Sequence, residues 1–286
     1  MKQILIPLIA GLAVSCANPG AKAQEFRETI NRQFTPKKDA ATSIMAIFNV
    51  FGSVKVEGYP GKEVIIEVDK ILSAKNSTVL EMGKKEFRLE FEQSDDSIIA
   101  YIAEPFDSRP HGNRNERHRD LDYEFKLEFK VKVPYNMHLD VSTITGGAIV
   151  IQNVSGNLNV HNVNGDLTLV NAKGNTNAGT VNGNVSVSYS ENPSGNSSYH
   201  TINGDIRVEY RADLSADLQF RSMHGEYYTD FPNVEVLPPA TIRNEEEEGD
   251  GTVYKLRKIT AIRIGSGGKL FEFETLNGNV YIKKQS

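Results

Sequence analysis

Two acids and two histidines stand at matched places in a glycine-spaced segment of this sequence. Asp166 and Asp205 each follow a glycine directly, and His161 and His200 each lie five residues after one. Two carboxylates about 6.5–9.5 Å apart are what an inverting glycosidase uses, one as acid and one as base. Paired imidazoles are the beginning of a zinc site, whose nitrogens lie about 2.0–2.1 Å from the ion. Arg109, Arg114, Arg117 and Arg119 crowd a short stretch with His111 and His118. Arginine suits phosphate and carboxylate, so this stretch is a candidate contact for lipid headgroups, lipopolysaccharide phosphate or acidic glycan. Tyr189 and Tyr210 stand where other units carry Asn or Thr, and Tyr227 and Tyr228 follow. Such rings can stack on sugars.

Each group also has a plainer reading, which ranks first. Asp is an ordinary neighbour of a turn glycine. The histidines face outward about two strand spacings apart, roughly 9–10 Å, too far to share one zinc ion. The arginines form a solvated loop tip without an aromatic for base stacking, and the tyrosines pack corners. Calcium-binding repeats read Gly-Gly-x-Gly-x-Asp, whereas only Gly146-Gly147 is doubled here. No catalytic residue, metal ligand or cofactor is therefore expected. The arginines, Tyr189 and Tyr210 remain as candidate anion or glycan contacts.

The element that positions these residues is a repeat. Glycines recur every nine residues at 147, 156, 165, 174 and 183. Each unit has apolar residues two, four and seven places after its glycine, such as Leu158, Val160 and Val163. Apolar residues two apart share one face of a strand. A nine-residue unit holds one strand and one corner, and a lone strand cannot bury its face. Two units make a coil of about eighteen residues in an all-β, β-solenoid or β-helix-like fold. Gly195 and Gly204 continue the pattern after an insertion, giving coils of twenty-one. A recurring Asn at the sixth place (Asn153, Asn162, Asn171) predicts equivalent stacked corners. An antiparallel meander is the competing arrangement, since Asn-Gly also makes hairpins.

The ends carry other signals. Lys2, an apolar run from Ile4 to Val14, and Ala21-Lys22-Ala23 read as a secretory signal peptide over residues 1–23. The formal charge of −5 becomes −7 without it, since Lys2 and Lys22 leave with no acid. A mildly acidic exported chain is no general nucleic-acid binder. The only cysteine, Cys16, lies in a loose lipoprotein-box pattern and is a second-ranked lipidation site. With cleavage after Ala23 the mature chain lacks thiols, and so lacks disulfides.

Along the chain, residues 24–42 read as a polar linker, with a short helix over Glu25–Gln33. A first repeat unit follows from Met45 to Val56 with Asn49 at its sixth place. The repeat is then interrupted over about 60–134 by antiparallel strands that should cap its first coil. The clearest runs from Tyr123 to Val133, alternating apolar and charged residues. Residues 229–252 read as irregular, with Pro232, Pro238, Pro239 and an acidic loop at Glu245–Glu248. The repeat returns at Phe271, Phe273 and Leu276, and closes with Val280 and Ile282.

Asn49 to Val56, Val163-Asn164-Gly165-Asp166-Leu167, Ile202-Asn203-Gly204-Asp205-Ile206 and Thr275 to Val280 resemble a bacterial envelope family of β-strand repeats of unknown function. The family carries an adhesin label inferred from its shape. The resemblance covers about 44–284 and implies a single secreted β-solenoid domain over 43–286, with no functional residues to carry over. The reading is an exported, non-enzymatic envelope protein acting by surface binding. Its partner would be a cell-surface glycan, a lipid headgroup or another envelope protein. The alternatives are a polysaccharide-active β-helix enzyme and a lipid-tethered scaffold without a ligand site.

Overall fold

The computed structural model describes residues 23–110, 120–248 and 251–285, with side chains outside 239–259. The chain opens with β1 (Gln24–Phe34), and the first repeat unit makes β2 (Ile44–Phe48) and β3 (Val54–Tyr59). The interruption supplies β4 (Val64–Ala74), helix α1 (Ser77–Glu86), β5 (Arg88–Gln93), β6 (Ser97–Glu104) and β7 (Tyr123–Pro134). The glycine ladder then lays down paired strands. These are β8 (His138–Ser142) with β9 (Ile149–Gln152), and β10 (Leu158–His161) with β11 (Leu167–Ala172). Next come β12 (Thr176–Gly179) with β13 (Val185–Tyr189), and β14 (Ser197–Asn203) with β15 (Ile206–Tyr210). Beyond them lie β16 (Ala216–His224), β17 (Tyr227–Thr229), the hairpin β18 (Glu235–Glu248) and β19 (Gly251–Ile264), and finally β20 (Leu270–Asn277) and β21 (Val280–Lys284).

Pairing inside the ladder is parallel throughout, which decides for the solenoid over the meander. Leu158 lies beside Thr176 and Leu167 beside Val185, one eighteen-residue coil on. Asn177 lies beside Ser198 and Val185 beside Ile206, one twenty-one-residue coil on. Strands of alternate units fall into two facing sheets. Sheet A carries β9, β11, β13 and β15, and sheet B carries β8, β10, β12 and β14. Their inward residues, among them Val160, Leu169, Val187, Tyr199 and Phe273, form one continuous buried core.

The corners show what the glycines do and correct the expectation that the Asn corners are equivalent. Most of the repeat glycines are needed for close approach of backbones and not for positive φ. A Cβ on Gly183 would stand 2.3 Å from the carbonyl oxygen of Gly165, and one on Gly165 would stand 2.4 Å from that of Gly147. No side chain fits between coils stacked this closely. The sixth-place Asn residues also do two different jobs. Asn153 and Asn171 adopt left-handed φ of 59° and 55° where sheet A turns into sheet B. Asn162 is buried at the opposite corner and donates to the Gly147 carbonyl at 3.0 Å. Thr180, Thr201 and Thr275 repeat that bond to Gly165, Gly183 and Gly204. A buried carbonyl at a bend needs such a donor. The seventh-place residue at this corner is consequently turned outward, and Ile202 and Leu276 are exposed.

Sequence order and stacking order differ at both ends. The first coil, β2 with β3, lies between β6 with β7 and β8 with β9. The last coil, β20 with β21, lies between β14 with β15 and β16 with β17. Antiparallel strands finish three of the four sheet ends: β5 on β6, β4 and β1 on β7, and β19 and β18 on β16. The interruption thus caps the solenoid as expected, but it also adds a full coil. Residues expected as a linker and short helix form β1, because Phe26, Ile30 and Phe34 pack against the core. The stretch expected to be irregular runs as β18, with a register shift between Leu237 and Ala240 that accommodates the two prolines.

Candidate functional site

The structure separates the candidate residues sharply. Asp166 accepts the backbone N–H of Asn184, one coil on, at 2.7 Å. Asn184 accepts from Asp205 at 2.9 Å, Asp205 from Asn279 at 2.9 Å, and Asn279 from Glu226 at 2.9 Å. The two carboxylates are therefore rungs of one ladder that binds coil to coil. Asp205 also pairs with Arg207. Arg109 lies over the Tyr101 ring at 4.0 Å, 2.7 Å from Asp107 and 3.1 Å from Glu92. The Asp107 hydrogen bond leads in raising its pKa, and these acids already neutralise it as an anion contact. Arg114, Arg117, Arg119, His111, His118 and Cys16 lie outside the described residues.

Tyr189 and Tyr210 are not surface contacts. Both are 0% exposed, and they stack with ring centroids 5.2 Å apart in the core. Their hydroxyls meet at Tyr199, 2.6 Å from Tyr189 and 3.1 Å from Tyr210, while Tyr189 also donates to Thr176 at 2.6 Å. The rings fill the core at the sixth place, where the three-residue insertion follows, and the hydroxyl chain keeps their polar atoms satisfied. That closes them to any ligand at the surface.

A different set of residues forms an open site. On the outer face of sheet B one row runs Asp140, Asn159, Asn177, Ser198, Glu272 and Gln219. Asn159 donates to Asp140, Asn177 to Asn159, and Ser198 to Asn177, each at 2.8 Å. All of the row but Gln219 borders a groove of about 550 Å³, together with His138, Asn157 and Asn175 among others. Beside it a second row runs His161, Gly179, His200, Glu274 and Arg221. The histidine rings lean together over Gly179, with centroids 5.9 Å apart, much closer than their strands. Burial lowers the pKa of both, and for His161 the neighbouring His200 adds to this. Arg221 stands 3.6 Å from both Glu272 and Glu274.

This face presents amide donors and acceptors, a hydroxyl and carboxylates at the spacing of the coils, and it is net acidic, with Asp140, Glu272 and Glu274 against Arg221. It can meet a polyhydroxylated chain with hydrogen bonds of both kinds. The signal was present in the sequence, since the third place after Gly156, Gly174 and Gly195 reads Asn, Asn and Ser. The intervening units carry Thr168 and Ser186 there. Only the alternation of sheets separates the two sets.

A family model described as Toastrack DUF4097 matches residues 136–229. That span covers the strands from β8 to β17 and agrees with the resemblance carried by the Asn-Gly-Asp units. No curated protein matches the chain. Among solved structures, a Clostridium sporogenes protein provisionally assigned to cell adhesion is 14% identical, with a TM-score of 0.43, covering 92% of this chain and 100% of its own. A Bacteroides fragilis protein provisionally called an adhesin is 10% identical, with a TM-score of 0.36 and coverage of 90% and 97%. A Parabacteroides distasonis protein provisionally called lipid-binding is 11% identical, with a TM-score of 0.27 and the same coverage.

Proposed function

We propose that this protein is an exported, non-enzymatic envelope solenoid that binds a cell-surface glycan along the outer face of sheet B. The observation that carries the reading is the groove of about 550 Å³ lined by the Asp140–Asn159–Asn177–Ser198 ladder. Side-chain amides in a repeating row can exchange hydrogen bonds with a repeating run of hydroxyls. The groove lacks the cationic lining that an anionic headgroup would need. Turnover is disfavoured because Asp166 and Asp205 are committed to backbone N–H groups of neighbouring coils. The expected leader over residues 1–23 supports export.

The test is binding to a panel of neutral and acidic bacterial polysaccharides, with Asn177→Leu and Ser198→Leu as probes. Both side chains point outward, so thermal stability should change little. At least a tenfold loss of affinity is expected in each variant. Full affinity in both, with the fold retained, would place the ligand elsewhere.

A further inference from the structure

We infer that His161 and His200 form a two-histidine site for a divalent transition metal ion of the zinc, nickel or copper class, beside the groove. Imidazole suits these ions in particular. The site follows from how the rings reach each other. Their strands are separated by β12, yet the ring centroids are 5.9 Å apart. Gly179 makes this approach feasible, since a Cβ there would stand 1.8 Å from Cε1 of His200. An ion about 2.1 Å from one nitrogen of each ring lies about 3.2 Å from each centroid. Two rings on a tetrahedral ion would then have centroids roughly 5.2 Å apart. The observed centroid separation is about 0.7 Å wider than that.

The surroundings fit a ligating pair. His161 Nε2 lies 2.9 Å from Oδ1 of Asn159, which already accepts from Asn177 at 2.8 Å. In the tautomer that donates from Nε2 to Asn159 the lone pair is left on Nδ1, while the Asn177 amide nitrogen stands 3.4 Å from the same Nε2. Asn159 in turn donates to Asp140 at 2.8 Å. A ligating histidine held through its other N–H by an oxygen is the usual outer-shell arrangement. His200 has no side-chain hydrogen bond among the described residues and is free to turn a nitrogen toward the ion. Burial favours the neutral, ligating form of both rings. No group of three or more His, Cys, Asp or Glu side chains stands together as a metal site among the described residues. Water would complete the shell.

The proposal is independent of the glycan reading, because it is tested with the metal alone. Zn²⁺ is titrated by calorimetry, at neutral pH, into the full, untagged, metal-free chain. Binding of one ion is expected, with affinity falling at least tenfold in His161→Ala and in His200→Ala and unchanged in His224→Ala. In parallel, Ni²⁺ should broaden the ring resonances of His161 and His200 before those of the other histidines in the unaltered protein. This second readout decides the matter even if a variant fails to fold. Absence of binding, unchanged affinity in the folded His161 and His200 variants, or first broadening at other histidines would overturn the site.

Discussion

At the residue scale, the same letter means different things at different corners. Asn162 is buried to satisfy a carbonyl, whereas Asn171 is exposed in left-handed backbone and bonds Asn153 at 2.9 Å. The nine-residue period shows that Asn recurs, but the job depends on which sheet the chain is leaving. The tyrosines pack at their corners, as their first-ranked reading has it, but not as glycan contacts, because Tyr199 meets both hydroxyls inside the core. Tyr189, Tyr199 and Tyr210 are fully buried, and burial is the first cause holding their phenols well above the usual 10. In the unfolded chain they ionise near 10. Folded, they keep their protons, so their contribution is present below about pH 10 and is lost as pH rises toward the folded values. In an alkaline absorbance titration, at least three of the eleven tyrosines should ionise only as the fold is lost. Reversible ionisation of all eleven near pH 10, with circular dichroism unchanged, would contradict the buried cluster.

At the element scale, strand content and face were largely legible. Met45, Ile47, Val54, Val56, Phe271 and Phe273 are inward and buried, as their alternation predicts. Stacking order was not legible, because every coil offers the same apolar face and nothing local says which neighbour it joins. The last coil slots between two earlier ones, with Phe273 beside both Tyr199 and Phe220, at ring centroid distances of 5.0 and 5.4 Å. Truncation after Gly268 therefore removes an internal coil and leaves β16 and β17 without the partner that joins them to the ladder. Repeat stability is a sum of neighbouring interfaces, and an internal deletion breaks two of them. The truncated chain should lose the protection of residues 206–264 from proteolysis and show a clearly lower melting temperature. A melt and digestion pattern matching the full chain would mean that the last coil merely frays at an end.

At the scale of the whole molecule, a double-sheet solenoid offers two long outer faces, and side-chain chemistry distinguishes them. Sheet A carries Val150, Thr168, Ser186 and Arg207 where sheet B carries Asp140, Asn159, Asn177 and Ser198. The groove lies on the second set. The chain's mild negative charge makes attraction to anionic surfaces a poor driving force, in keeping with the proposed recognition by hydrogen bonding along the coils. The proposed role is binding without turnover, by this face. It is tested most directly by equilibrium binding of the full chain to immobilised envelope polysaccharides, with soluble sugar assayed in the same wells. Saturable binding without sugar release is predicted, and it should persist unchanged in the Asp166→Asn/Asp205→Asn double variant. Sugar release by the parent chain that disappears in the double variant would contradict the account and make the protein an enzyme.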